Sequence, residues 1–317
     1  MNALLIGPGA VGLGIAASLL DSGWKLDILA AGKTKESLDT FGIIRRGLFK
    51  EITVPAAEVK TFSTLDEIQN QYDFVLVCTK TTASLDVAAE LSQNKHKLKR
   101  QGKIVLFQNG FGNDEVFLET FSKDRIYSAR IITGFSRPER YISEVTVHAA
   151  PILIGSLYGE DLECMIPLVE AINSGGLPCA ITEEIEKALW AKMLYNCTLN
   201  PLSAVLNANY GELAEDRHTI EIMDGLIEEI FQVMRISGYS SYWDDPEAYK
   251  KEFYEQLIPP TCDHRSSTLQ DIEKKIKTEI DSLTGVIVKL GNQHHIPVPL
   301  NQMLFHLIKA KENAAVR

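Results

Sequence analysis

A glycine pattern that begins at residue 7 limits the fold of this chain more than any other feature. Residues 2–6 form a short apolar run typical of a buried strand, and Gly7-Pro8-Gly9-Ala10-Val11-Gly12 follows it directly. A helical pattern continues to Gly23, and residues 26–29 predict the next strand. Strand, glycine turn, helix and strand within about thirty residues form the context that the dinucleotide fingerprint G-x-G-x-x-G requires. The N-terminal segment therefore predicts the start of a Rossmann-type α/β domain.

Each glycine of this pattern has a physical task. Gly7 permits the tight turn, Gly9 has no Cβ and lets a pyrophosphate approach the backbone, and Gly12 allows close packing of helix and strand. The N–H groups that follow, at Ala10 and Val11, lie where a helix N-terminus binds phosphate. We predict that these five residues bind a cofactor. The alternative is a tight glycine turn that binds no ligand.

The end of the second predicted strand bears on the choice between NAD and NADP. An acidic residue there would bind the ribose 2′-hydroxyl of NAD, and an arginine would accept the 2′-phosphate of NADP. This strand ends instead in Ala30-Ala31-Gly32, followed by Lys33 and Lys35. The two lysines either neutralise a 2′-phosphate or are ordinary solvated side chains.

Two later strands end in polar residues. Residues 73–80 end in Thr79-Lys80, and residues 103–110 end in Gln108-Asn109-Gly110. Because ligands bind at the carboxyl ends of parallel strands, these residues are candidates for a cofactor cleft, although each group could merely begin a loop. The alternation of strands and helices predicts a doubly wound parallel sheet. We interpret the short β-rich runs of residues 126–157 as further strands of that sheet.

After residue 182 the predicted structure is almost entirely helical. Apolar residues spaced by three and four over residues 269–290 predict one amphipathic helix. The predicted organisation is α/β: an N-terminal Rossmann-type parallel-sheet domain at 1–182, followed by an all-α C-terminal domain at 183–317.

One predicted helix in the second part carries an unusual polar stripe. Lys192, Asn196 and Asn200 are spaced by four and therefore share one helix face. One cation and two amides can hold a carbonyl and a carboxylate, and a partly desolvated lysine suits a general acid. In the alternative interpretation, Lys192 extends to solvent and the asparagines cap the helix before Pro201. The spacing alone leaves both open.

Two further polar positions flank the 269–290 stripe. Glu279 lies at its edge and either faces solvent or contacts a ligand. Ser266 and Ser267 precede it, where serine is a good N-cap, so capping and substrate contact are both open.

Charge and composition exclude several functions. With 32 Lys and Arg against 42 Asp and Glu, the net charge of −10 argues against general nucleic-acid binding. No apolar run approaches the roughly 18 residues of a membrane span. The five cysteines are scattered without a Cys-x-x-Cys pair, which predicts a reduced, cytoplasmic chain without a disulfide framework or a metal site.

Taken together, the motifs identify a family resemblance over nearly the whole chain. The chain resembles ketopantoate reductase (2-dehydropantoate 2-reductase). The resemblance rests on Gly7-x-Gly9-Ala10-Val11-Gly12, Val77-Cys78-Thr79-Lys80, Gln108-Asn109-Gly110-Phe111-Gly112, Trp190-Ala191-Lys192 with Asn196 and Asn200-Pro201-Leu202, and residues 266–272 followed by Thr278-Glu279-Ile280-Asp281.

The resemblance implies NADPH-dependent reduction of the small 2-keto acid ketopantoate to pantoate, on the route to pantothenate. It implies that the Rossmann domain at 1–182 binds NADP, that the helical domain at 183–317 binds substrate, and that the site lies in the cleft between them. Lys192 would be the general acid, and Glu279 would hold the substrate hydroxyl. The remaining implied contacts are Asn196, Asn200 and Ser267 with substrate, Asn109 with both substrate and cofactor near the nicotinamide, and Lys80 beside the adenosine end of the cofactor.

The chain departs from the family pattern in three places. Ala31 stands where members often carry an arginine for the NADP phosphate, which leaves Lys33 as the candidate for that role. His264 replaces a frequent asparagine, and residues 130–141 lack a His-bearing pattern. A reductase of another 2-keto acid and a non-catalytic NADP-binding sensor are the alternatives, although a sensor has no use for a general acid. A homodimer is left open.

Overall fold

A computed structural model of the protein describes residues 1–315; Val316 and Arg317, the end of the predicted second domain, lie outside the described residues. Contacts between Cα atoms divide the chain into two compact units. Unit 1 comprises Met1–Gln108 and Asn113–Ile185, and unit 2 comprises Asn109–Gly112 and Glu186–Arg317. Among the described residues, none of the helices combines the length and the apolar character needed to cross a membrane.

Unit 1 contains the strands of the described structure. They are β1 (Asn2–Ile6), β2 (Lys25–Leu29), β3 (Ile43–Gly47), β4 (Ile52–Val54), β5 (Lys60–Phe62), β6 (Tyr72–Val77), β7 (Leu98–Leu106), β8 (Ile126–Arg130), β9 (Thr133–Ser136), β10 (Ile142–His148), β11 (Ile152–Gly155) and β12 (Cys179–Ile181).

Eight of these strands form the main sheet, in the order β12-β11-β8-β7-β6-β1-β2-β5. Neighbouring strands pair in parallel except β8 with β11. Alternate residues of β1 join two separate apolar clusters, Ala3 and Leu5 in one and Leu4 and Ile6 in the other. Because successive strand side chains point to opposite faces, the sheet is covered on both sides, as an apolar run in a parallel sheet predicts.

The prediction that residues 126–157 all extend the main sheet is wrong in part. β8 and β11 do join it, but β9 and β10 belong to a separate four-stranded sheet ordered β4-β3-β10-β9. Short apolar runs identify strands but not their partners, which depend on packing. Here Phe135 of β9 lies against Gly14, and Ser143 of β10 donates a hydrogen bond to the Ala10 carbonyl at 2.7 Å.

The helices divide between the two units. In unit 1 they are α1 (Ala10–Asp21), α2 (Gly32–Phe41), α3 (Ser84–Gln93), α4 (Glu115–Leu118) and α5 (Ile166–Ser174). In unit 2 they are α6 (Ile185–Leu206, its first residue in unit 1), α7 (Tyr210–Glu215), α8 (Arg217–Ile236), α9 (Pro246–Glu252), α10 (Ser267–Glu273), α11 (Thr284–Gln293) and α12 (Pro299–Ala315). The predicted fold class, a Rossmann-type parallel sheet followed by an all-α region, is confirmed.

The prediction of one helix over residues 269–290 is wrong. α10 ends at Glu273, Lys275 adopts a left-handed backbone with φ of 54°, and α11 begins only at Thr284. Ile276, expected on the buried stripe, is 47% exposed. Glu279 therefore lies in a turn between two helices rather than on a helix face.

Candidate active site

The glycine turn of unit 1 is shaped by contacts that only glycine allows. Gly7 has φ of 94°, and a Cβ there would lie 2.5 Å from the Thr79 nitrogen. A Cβ on Gly12 would lie 2.3 Å from the Gly7 carbonyl oxygen. Both positions exclude a side chain for reasons internal to the fold.

Gly9 differs, because a Cβ there would meet no atom within 4 Å. It caps α1 without a side-chain hydrogen bond, and the first turn, which includes Ala10 and Val11, contains no acidic residue. The helix N-terminus thus presents N–H groups and partial positive charge toward open space, which suits a phosphate group.

The end of β2 offers no carboxylate to a ribose. Asp27 is buried in the strand, and its Oδ2 accepts hydrogen bonds from Asn70 and Tyr72 at 2.7 Å each. Lys33 is exposed in the first turn of α2, and Lys35 forms an ion pair with Asp39 at 2.7 Å. The charge of Lys35 is therefore partly neutralised by Asp39, which makes Lys33 the better candidate of the two to contact a phosphate.

The carboxyl ends of β6 and β7 are tied together by a buried glutamine. Gln108 donates from Nε2 to the Thr79 carbonyl at 3.1 Å and to Ser84 Oγ at 3.0 Å. Its side chain is therefore a structural link in this part of the fold. Lys80 follows β6 and is exposed.

In unit 2, three predicted site residues from distant segments are joined by hydrogen bonds. Lys192 Nζ on α6 donates to Asn109 Oδ1 at 2.6 Å, and Asn109 Nδ2 donates to Glu279 Oε2 at 3.1 Å. All three side chains are half-buried. The amide orientation is consistent, because an ammonium only donates and a carboxylate only accepts. We call Lys192, Asn109 and Glu279 the polar triad.

Asn109 is held by the segment that follows it. Gly110 has φ of 89°, and a Cβ there would lie 2.1 Å from the Ser282 carbonyl oxygen. That oxygen accepts from the Phe111 N–H at 3.1 Å. The Phe111 ring packs at 5.2 Å from Trp190, two residues before Lys192. The segment is thus fixed to both elements that supply the other two members of the triad.

Glu279 is positioned by the C-terminal helix. Thr278 is fully buried and donates from its N–H and its hydroxyl to Glu312 Oε1, at 2.7 and 2.6 Å. Lys309, one turn before Glu312 on α12, bonds Asp281 at 2.8 Å. Both sides of Glu279 are therefore anchored to α12.

The asparagines of the predicted stripe share α6, which continues past Pro201 to Leu206 rather than ending at a cap. Asn196 is half-buried. Asn200 is buried, and its Oδ1 accepts from the Tyr210 hydroxyl at 2.6 Å. Burial, with a further contribution from Tyr195, raises the pKa of Tyr210, so its hydroxyl remains a proton donor.

The two serines before α10 have different environments. Ser266 is fully buried, caps the helix by accepting from the Leu269 N–H at 3.0 Å, and donates to the Asn200 carbonyl at 3.2 Å. Ser267 is exposed. The capping role belongs to Ser266, and Ser267 remains available to a ligand.

Sequence analysis missed the residues that support these groups. Tyr210, Glu312 and Lys309 had no recognisable signal, because each acts on a residue it meets only through packing. Phe111 did have one, since it belongs to the Gln108-Asn109-Gly110-Phe111-Gly112 motif.

The fold defines a protein with a Rossmann-type domain followed by a helical domain. The family model "Ketopantoate reductase PanE/ApbA" matches residues 3–159, and "Ketopantoate reductase PanE/ApbA C terminal" matches residues 184–312. The chain is 36% identical over 313 residues to 2-dehydropantoate 2-reductase of Aquifex aeolicus, covering 98% of this chain and 97% of that protein. The chain therefore belongs to the ketopantoate reductase family, and it is an oxidoreductase.

Solved structures share this fold at low sequence identity. A PanE/ApbA family ketopantoate reductase from Ralstonia eutropha JMP134 covers 100% of both chains with a TM-score of 0.86 and 24% identity. D-mandelate dehydrogenase, in a ternary structure with NADH and anilino(oxo)acetate, also covers 100% of both chains, with a TM-score of 0.84 and 19% identity.

Proposed function

We propose that the protein reduces 2-dehydropantoate to pantoate with NADPH, a cytoplasmic reaction of pantothenate biosynthesis. The observation that carries the proposal is the polar triad, in which one amide orients an ammonium and a carboxylate. The proposal assigns the cofactor to residues 1–182 and the substrate to residues 183–317.

The glycine turn fits the cofactor's pyrophosphate. Gly7, Gly9, Ala10, Val11 and Gly12 would hold it, since α1 has an uncapped N-terminus and the space at Gly9 is open. Lys33 and Lys80 would add positive charge for the adenosine end. When bound, the nicotinamide supplies the hydride that reduces the keto carbon.

Lys192 is the proposed general acid. Its ammonium donates a hydrogen bond to the keto oxygen and transfers a proton to that oxygen as it becomes an alkoxide. The overall conversion consumes one hydride and one proton per keto acid and yields a 2-hydroxy acid. A fixed positive charge beside a developing oxyanion stabilises the transition state by on the order of 3 kcal/mol.

Asn109 and Glu279 have complementary parts in this scheme. Asn109 holds the Lys192 ammonium in place by accepting one of its hydrogen bonds. One oxygen of Glu279 accepts from Asn109, and the carboxylate accepts a further hydrogen bond from the hydroxyl of 2-dehydropantoate. Asn196, Asn200 and Ser267 orient the substrate carboxylate.

The test is a panel of 2-keto acids assayed with NADPH and with NADH by nicotinamide absorbance. We expect the highest kcat/KM with 2-dehydropantoate and NADPH. A higher value with a keto acid that lacks the hydroxyl would assign the protein to another 2-keto acid. Cofactor binding without turnover of any keto acid would favour the sensor alternative.

A further inference from the structure

The turn between β9 and β10 brings two arginines to the glycine turn and to α2. Arg137 Nη1 donates to the Pro8 carbonyl, inside the glycine turn, at 2.8 Å. Arg140 is exposed, and its Nη1 lies 3.4 Å from Thr34 Oγ1 in the first turn of α2. In a Rossmann domain, these two elements follow the first and second strands, where the phosphates and the adenosine ribose bind.

The turn is held in this place at its β10 end. Ser143 of β10 bonds the Ala10 carbonyl of α1 at 2.7 Å. The ring of Tyr141, next to Arg140, stacks on Phe41 at the end of α2 with 4.8 Å between centroids. Arg140 therefore projects from a braced turn, and its position follows from the packing of the second sheet.

The two guanidinium groups concentrate positive charge. Burial, together with the nearby charge of Arg140, lowers the pKa of Arg137. Within residues 1–315, neither arginine forms an ion pair with a carboxylate. Two like charges held together without a counter-charge repel each other, and an anion bound beside them relieves that repulsion.

The surroundings indicate which anion fits. The first turn of α2 contains no acidic residue, and Asp27 is already bonded to Asn70 and Tyr72. No acidic residue of that first turn therefore repels a phosphate, and Oδ2 of Asp27 is bonded within the protein instead of to a ribose hydroxyl. Arginine binds phosphate through paired N–H donors, which an isolated lysine does not match.

We propose, resting on the NADPH-dependent function proposed above, that Arg140 binds the 2′-phosphate of NADPH and sets the preference for NADPH over NADH, with Arg137 adding charge beside it. The residue that binds the cofactor's 2′-phosphate then lies in the turn between β9 and β10 of the four-stranded sheet, and not at Ala31 after β2.

The test measures binding, not activity. The full-length protein and its Arg140→Ala variant are titrated with NADPH and with NADH by cofactor fluorescence, and with 2′,5′-ADP by calorimetry. The control is Arg46→Ala, an exposed arginine of the same four-stranded sheet that pairs with Glu144 at 3.1 Å. We expect Arg140→Ala to raise the Kd for NADPH and for 2′,5′-ADP by on the order of tenfold or more, and to leave the Kd for NADH nearly unchanged.

Three results would overturn the inference: an equal rise of both cofactor Kd values in Arg140→Ala, an unchanged NADPH Kd, or a parent protein that binds NADH as tightly as NADPH. An effect of Arg46→Ala equal to that of Arg140→Ala would also overturn it, because general surface charge would then be the cause. Failure of the proposed function would appear separately: the parent protein would bind NADPH but would not oxidise it when any keto acid of the panel is added.

Discussion

The glycine turn in unit 1 and the polar triad in unit 2 are built in opposite ways. The turn is made of backbone from one continuous segment, and it depends on the absence of side chains at Gly7, Gly9 and Gly12. The triad is made of side chains from three segments, with partners 83 and 170 residues apart in the chain. A backbone site tolerates few substitutions but needs little support, whereas a side-chain site depends on every element that aims its members.

The supporting elements show the same contrast. The turn is supported by its own helix and by the neighbouring strand end at Thr79. The triad depends on the Phe111–Trp190 packing, on the Ser282 carbonyl and on the α12 residues that bond Thr278 and Asp281. Substitutions in the two regions should therefore separate binding, chemistry and stability in predictable ways.

The largest effect, a loss of kcat, is expected for substitution of Lys192, the proposed general acid of the polar triad. Lys192→Ala should lower kcat by about 10²–10⁴-fold, the range typical for loss of a general acid, and leave the NADPH Kd nearly unchanged. Lys187→Ala, a lysine on the same helix outside the triad, is the matched control and should retain full activity. A Lys192→Ala enzyme with nearly parental kcat would remove Lys192 from the mechanism.

The backbone site predicts a binding defect without a folding defect. A Cβ on Gly9 meets no protein atom within 4 Å but would enter the space assigned to the pyrophosphate. Gly9→Ala should keep the parental Tm and raise the cofactor Kd by on the order of tenfold. Gly7→Ala should instead lower the Tm, because its Cβ would lie 2.5 Å from the Thr79 nitrogen. Thermal unfolding and cofactor titration of both variants distinguish the two cases.

Specificity should depend on the carboxylate end of the triad. Glu279→Gln keeps an acceptor for Asn109 but loses the charge that binds the substrate hydroxyl. It should narrow the kcat/KM ratio between 2-dehydropantoate and its analogue without the hydroxyl by about tenfold, since a charged hydrogen bond contributes about 1.5–3 kcal/mol. Equal losses on both acids would show that Glu279 has an electrostatic or structural role only.

The anchoring of the triad to α12 predicts a smaller effect, on stability. Glu312→Gln replaces the charged acceptor of two buried hydrogen bonds from Thr278, so the free energy of unfolding should fall by about 1–3 kcal/mol. Asp281→Asn breaks a more exposed pair with Lys309 and should cost less than about 1 kcal/mol. Urea denaturation of both variants measures the difference, and equal losses would contradict the anchoring role of Glu312.

The smallest effect is expected at Lys33. It is exposed, and a solvated charge contributes little, so Lys33→Ala should change the NADPH to NADH ratio of kcat/KM by less than about fivefold. If the NADPH to NADH ratio of kcat/KM fell strongly in Lys33→Ala but not in Arg140→Ala, Lys33 and not Arg140 would be the residue that binds the 2′-phosphate.

The failures of sequence analysis share one cause. The apolar spacing over residues 269–290 has the period of a helix, but the segment forms two shorter helices. Between them, Lys275 has a left-handed backbone and Thr278 forms buried hydrogen bonds with Glu312. In the same way, the pattern predicts β9 and β10 as strands of the main sheet, but they pair with each other, and β10 pairs with β3 in the four-stranded sheet. Hydrophobic spacing indicates which positions favour burial, but it does not identify the distant residues that pack against them.

Local sequence patterns predict the glycine turn, the strands β1, β2, β6 and β7, and the shared face of Lys192, Asn196 and Asn200 on α6. Each of these depends on residues close together in the chain, so local backbone geometry is enough. The folded chain is needed to show that Asn109 bridges Lys192 and Glu279, that Tyr210 bonds Asn200, and that Arg137 and Arg140 reach the glycine turn and α2. Hydrogen-bond partners separated by tens of residues are selected by packing, and no spacing along the chain encodes them.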